Sequence, residues 1–170
     1  MDITQLILTD HAEFRRLFLV IDEIGRGDRQ ALGVVWTRLR DLLDVHAEAE
    51  ERFFYPKLLQ VGEGGGDADS AAEETEDAIK DHNEIRDTAK AVDSHPVGSE
   101  AWFAAIDVCN EANSDHMGEE ERQGLADFRL HASLDERHTL AVEFIAFEAG
   151  HRTGIAPVDK DPKDYVRMHE

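Results

Sequence analysis

Apolar residues recur at helical spacing in four long stretches, each closed by a short run of glycine, proline and polar residues. In the first, residues 3 to 24, Ile3, Leu6, Ile7, Phe14, Phe18, Ile21 and Ile24 form one stripe, with Asp2 and Gln5 resembling a capping box at its start. Gly25-Arg26-Gly27-Asp28 ends it. The second, residues 29 to 59, carries Leu32, Val35, Leu39, Leu42, Leu43, Phe53 and Leu58, is interrupted by Pro56, and stops at Gly62-Glu63-Gly64-Gly65-Gly66. A third runs from Ser70 through Ile79 and Ile85 to Val92, and His95-Pro96-Val97-Gly98 follows. The fourth carries Trp102, Phe103, Ile106 and Cys109 to about residue 128, weakened by Gly118 and Gly124. Four helices with short connections pack antiparallel, so the expectation is an all-α, up-down-up-down four-helix bundle over residues 1–130. A short fifth helix near 133–149 and an extended tail from Gly150 complete a C-terminal segment, 131–170, packed on the same domain.

Charge narrows the partners. With 18 basic and 38 acidic residues the chain carries a formal −20, which opposes the electrostatic attraction that nucleic-acid and anionic-membrane binders use. Neither nucleic acid nor membrane is therefore an expected partner. The opening residues lack a basic segment and a small-residue cleavage site, and no apolar run is long enough to span a bilayer. The lone Cys109 excludes an intramolecular disulfide framework and a zinc site built on cysteines. A cytoplasmic protein, monomeric or weakly dimeric, is the expectation.

The helices repeat. Asp10-His11-Ala12-Glu13-Phe14-Arg15 returns as Asp81-His82-Asn83-Glu84-Ile85-Arg86, and His46-Ala47-Glu48-Ala49-Glu50-Glu51-Arg52 returns as His116-Met117-Gly118-Glu119-Glu120-Glu121-Arg122. Two blocks at nearly one offset imply a duplicated helix pair with an approximate internal two-fold. The repeated histidines lie on the apolar stripes: His11 is four after Ile7, His46 three after Leu43, His82 three after Ile79 and His116 seven after Cys109.

Residues on adjacent antiparallel helices are level when equally distant from the connecting turn. His11 and His46 are centred between residues 28 and 29, His46 and His82 on 64, and His82 and His116 on 99, each at a connection. Four imidazoles thus share one layer, and Glu50 and Glu120, one turn of about 5.4 Å beyond their histidines, reach it. Unpaired ionisable groups are costly in an apolar interior, so six of them require a common partner. Four nitrogens and two carboxylates without thiolate suit iron, manganese or zinc rather than calcium or magnesium, and two carboxylates able to bridge suggest two ions. The bundle di-iron pattern in which Glu and His lie three apart does not apply, because here His precedes Glu by four.

This arrangement, His11, then His46 with Glu50, then His82, then His116 with Glu120, resembles the hemerythrin-like, or HHE cation-binding, family over residues 3 to 128. Bacterial members, actinobacterial ones among them, imply an oxo- or hydroxo-bridged centre of two iron ions that meets a small oxidant such as H2O2, O2 or NO. The family's respiratory oxygen carriers add a histidine on the third helix; here Arg86 stands four after His82 and Ala78 four before. Two six-coordinate irons offer about twelve positions, and these ligands with one bridging oxygen fill about ten. About two open positions favour turnover, so the expectation is catalase-like peroxide decomposition, with reversible O2 or NO binding, sensing or iron storage as the alternative and a zinc-stabilised bundle as a third.

Tyr55 is a further candidate ligand, because Pro56 disfavours helical geometry at Tyr55 and frees the chain to turn. The plainer expectation places its hydroxyl in water at the bundle end. Glu48, Glu51, Glu119 and Glu121 read as a solvated acidic face, Asp10 and Asp81 as surface residues placed to orient a ligand at most, and His131, His138 and Cys109 as ordinary residues.

Overall fold

The computed structural model describes residues 1–66 and 68–169; Glu170, the last residue of the expected tail, lies outside them. The described residues form eight α-helices: α1 (Ile3–Ile24), α2 (Arg29–Ala49), α3 (Tyr55–Val61), α4 (Ala71–Asp93), α5 (Glu100–Arg122), α6 (Gly124–His131), α7 (Leu134–Gly150) and α8 (Pro162–His169). There is no strand among them, and no helix is long and apolar enough to cross a membrane. The long helices α1, α2, α4 and α5 build the bundle.

Local chemistry sets the ends. The Asp2 carboxylate accepts the Thr4 amide to cap α1, and α1 stops at Gly25, whose φ of 63° suits a residue without Cβ. Asp28, Ser70 and Ser99 cap α2, α4 and α5, and Ser133 with Glu136 forms a reciprocal capping box on α7.

Between α2 and α3, Glu50–Phe54 form a widened π turn in which the Tyr55 amide donates to the Glu50 carbonyl. Pro56 explains its position. In an uninterrupted α-helix its ring would meet the Arg52 carbonyl, and it has no N–H to donate. The chain takes up one extra residue and carries on, so Tyr55 keeps helical angles (φ −63°, ψ −38°), and the break expected there is instead a bulge. The helix expected to reach residue 128 breaks at the equivalent place in the repeat: Gln123 leaves the helical region (φ −109°, ψ −90°) between α5 and α6.

Two apolar clusters fill the bundle. Ile3, Ile7, Tyr55, Leu58, Ile79 and Phe128 belong to one, and Phe14, Phe18, Trp36, Leu43, Ile85 and Trp102 to the other. On every long helix the repeated histidine falls between residues of the two clusters, so the ionisable layer is sealed from both ends. Trp36 and Trp102 meet edge to face at 6.4 Å, and the Trp36 indole donates to Asp93 at 2.7 Å.

The C-terminal segment departs from an extended tail. Asp161 caps α8 by accepting the Asp164 amide, and Tyr165 and Val166 are buried. At eight residues α8 is too short to show an apolar period, and its packing on α4 decides its conformation. Asn83 and the Lys160 backbone exchange two hydrogen bonds at 2.8 and 3.1 Å, tying the segment to α4 just before α8.

Asp127 holds the glycine-rich connection. Only 1 % exposed, it accepts the amides of Glu63 and Gly64, each at 3.0 Å, and the His131 ring at 2.7 Å. Asp127→Ala strands those buried donors, so a loss of about 2 kcal/mol is expected in chemical denaturation, read as a lower midpoint at unchanged slope.

Candidate metal centre

The level layer inferred from turn midpoints is present. His11 and His46 ring centroids lie 5.3 Å apart, and those of His82 and His116 4.6 Å apart. His46 Nε2 is 3.0 Å from Glu50 Oε1, His82 Nε2 3.3 Å from Glu50 Oε2, and His11 Nε2 3.3 Å from Glu120 Oε2. The Nε2 atoms of His82 and His116 face each other at 3.1 Å. Glu50 thereby belongs to both compact groups, with His11 and His46 on one side and with His82 and His116 on the other. All six residues are buried.

Each imidazole turns its other nitrogen to a carboxylate. His11 Nδ1 meets Glu121 at 3.0 Å, His46 Nδ1 meets Asp10 at 3.2 Å, His82 Nδ1 meets Glu51 at 2.8 Å and His116 Nδ1 lies 3.5 Å from Asp81. An ionised carboxylate only accepts, so each Nδ1 carries the proton and each Nε2 presents a lone pair inward when the ring is neutral. That orientation is the one metal-binding histidines use.

The sequence repeat extends into these outer contacts. Glu51 pairs with Arg86 at 2.7 Å, and its counterpart Glu121 pairs with Arg15, the counterpart of Arg86, at 2.8 Å. Asp10 and Asp81 hold the histidines of the neighbouring helices in both halves. Reading Glu51 and Glu121 as solvated is therefore corrected: Glu51 is 2 % exposed, and both accept from a ring. The π turn directs the adjacent carboxylates Glu50 and Glu51 inward together, which an α-helical wheel does not anticipate. The available sign was the repeat itself, since Asp, His, Glu, Glu and Arg all recur in it.

Tyr55 is in the layer rather than in water. It is 1 % exposed, and its hydroxyl donates to Glu120 Oε1 at 2.5 Å. Burial first, and then the Glu120 and Glu50 charges, push the phenol well above its ordinary range, so it keeps its proton. Arg86 sends its guanidinium to Glu51 and Asn83, away from the inward nitrogens. His131 pairs with Asp127, and His138 lies beside the N-terminus, both away from the layer.

Five atoms of the layer are buried without a hydrogen-bond partner: His11 Nε2, His46 Nε2, both Glu50 oxygens and Glu120 Oε2. Buried polar atoms without partners are costly. Their convergence, with nitrogen and carboxylate donors together, fits first-row metal ions.

The profile of the hemerythrin HHE cation binding domain matches residues 2–126. The chain belongs to that family. Neither curated proteins nor solved structures gave a significant match. This HHE domain comprises α1 to α5 and the start of α6, and α7 and α8 lie beyond it. α7 brings Phe144 against His46, with ring centroids 5.9 Å apart, and sets Glu148 beside Asp10, where burial and the Asp10 charge raise the Glu148 carboxyl to about 8. On the other side Lys160 pairs with Glu48 and Glu51, and the Tyr165 hydroxyl donates to the Glu51 carbonyl. Burial works against the charge on Glu51, but His82, Arg86 and Lys160 outweigh it and hold the carboxyl at about 2.

Without a metal, protons hold the layer together. Burial opposes a charge on His82, but Glu50 and Glu51 outweigh it and raise the ring from 6.5 to about 9. A raised value stabilises the fold fully below 6.5, and that stabilisation is lost as pH rises through about 9. The melting temperature of chelator-treated protein should fall across that interval, and fall less in His82→Asn. Metal binding requires neutral rings, so calorimetry in buffers of differing ionisation enthalpy should show proton release.

Proposed function

We propose that this HHE protein holds two iron ions through His11, His46, Glu50, His82, His116 and Glu120, and that the loaded centre decomposes hydrogen peroxide to water and oxygen. The carrying observation is the hydrogen bond from Tyr55 to Glu120, a retained proton at the edge of the layer where no further histidine stands. When bound, an iron pair supplies the two-electron redox chemistry that turns two molecules of peroxide into two of water and one of oxygen.

The chain's own residues supply position and protons. Glu50, with both oxygens unpartnered, stands between the two histidine groups and is shared by them. Asp10, Glu51, Asp81 and Glu121 fix the tautomer and direction of the rings, so the inward lone pairs need no reorganisation. Tyr55 holds a proton on Oη, within one hydrogen bond of Glu120 Oε1, for a substrate oxygen that must gain one. The apolar clusters above and below shield the layer from bulky reductants, which favours a small oxidant that serves as its own reductant.

Iron-supplied protein should contain about two irons per chain, and Glu50→Ala markedly fewer. An oxygen electrode should record one oxygen per two peroxides consumed. Tyr55→Phe should keep its iron while losing about a hundredfold in turnover. A visible phenolate band that disappears in Tyr55→Phe would instead make Tyr55 a ligand. Reversible spectral change with O2 or NO and no oxygen release from peroxide would replace turnover by binding.

A further inference from the structure

Access to the layer differs between the two halves. The offset of the repeat carries Asp10, Leu42 and Val45 onto Asp81, Ala112 and Asp115. The first set lines a cavity that α7 roofs through Ile145, Glu148 and Ala149, and into which Arg38 and Arg152 also face. The second set lines a cleft between α4 and α5 to which α7 contributes nothing. A neighbouring cleft of about 290 Å³ shares Asp81, His116 and Glu119 with it and continues to Tyr55 and Glu120. Asp77 and Glu119 in that cleft are exposed, whereas Tyr55 and Glu120 are buried, so it leads from the surface to the layer. Among the described residues, no Lys or Arg lines either cleft on this side.

Glu74 lies along that path. It is only 6 % exposed; its Oε1 accepts the Gly65 amide at 2.6 Å, while its Oε2 has no partner. A buried carboxylate oxygen of this kind lacks a donor or a cation. Burial raises its carboxyl to about 7, consistent with a carboxylate short of positive neighbours. Carboxylates at the mouth concentrate cations there, and an unpartnered carboxylate inside gives a cation a position to occupy after it sheds water.

We propose that the α4–α5 cleft is the route by which divalent metal ions reach the centre, with Asp77 and Glu119 at its mouth and Glu74 Oε2 as an intermediate position before Glu120. The inference rests on reading the six-residue layer as a metal centre. It assigns to Glu74 a role in the rate of loading rather than in holding the loaded ions. The roofed cavity over His46 serves no such traffic, because Arg38 and Arg152 face into it.

The test is stopped-flow uptake of Co(II) by chelator-treated protein, followed by the visible absorption of the bound ion. Glu74→Gln should slow loading about tenfold while reaching the wild-type metal-to-protein ratio. The exposed pair Asp77→Asn with Glu119→Gln should slow it too and weaken its dependence on ionic strength, without disturbing the interior. Asp41→Asn, at the roofed cavity, should load at the wild-type rate. Loading of Glu74→Gln at the wild-type rate, or a lower final ratio reached at that rate, overturns the route while leaving the centre intact. A wild-type chain that takes up no Co(II) overturns the metal centre and the route together.

Discussion

The centre depends on a closed ring of ties between helices, made by the outer nitrogens of four histidines. Asp10 of α1 holds His46 of α2; Glu51, in the turn after α2, holds His82 of α4; Asp81 of α4 lies against His116 of α5; Glu121 of α5 returns to His11 of α1. Each tie joins two neighbouring helices and at the same time settles which nitrogen of a ring points inward. The bundle is therefore clamped at the level where its interior is most polar and apolar packing contributes least. Removing one outer carboxylate would loosen a helix pair and free a ring at once, coupling stability to the geometry of the site.

Pro56 has an effect beyond its own position. By making one α-helical hydrogen bond impossible it produces the widened turn, and the extra residue changes which side chains face the interior. Glu50 and Glu51 both enter the layer, one among the inward nitrogens and the other behind His82. Tyr55, five positions beyond Glu50, is carried under the layer to Glu120. In a regular helix a step of five lands well off the starting face, whereas in a π turn it nearly returns to it. A local backbone defect thus supplies the proton donor of the site.

The same defect marks where reading from sequence ends. The six candidate residues were legible because repeat, apolar stripe and distance from the turns constrain them independently, and all three assume only regular helices and short connections. Glu51 and Tyr55 were misjudged because the helical wheel fails across Glu50–Phe54. Glu121, Asp10 and Asp81 were visible in the repeat, but their partners lie on other helices and no spacing along one helix reveals them. α8 was hidden for another reason: two turns anchored by Tyr165 and Val166 owe their form to α4 and not to a pattern of their own.

What the chain adds to the duplication matters as much as what it repeats. The two halves supply matched rings, carboxylates and arginines, which alone would make two equivalent sides. Tyr55 breaks that equivalence, since its counterpart in the second half is Leu125. Glu120 has one oxygen occupied by a phenol, whereas both Glu50 oxygens are unpartnered. Lys160 charges the outer side of Glu51, while Glu121 has Arg15 alone beside His11, and α7 roofs His46 while the cleft beside His116 lies open. Lys160 and α7 lie beyond the matched domain, and Tyr55 arises from a proline the second half lacks. A symmetric frame can hold two like ions, but directing a proton to one side and traffic through one opening requires differences between the halves, and here they come from the parts that do not repeat.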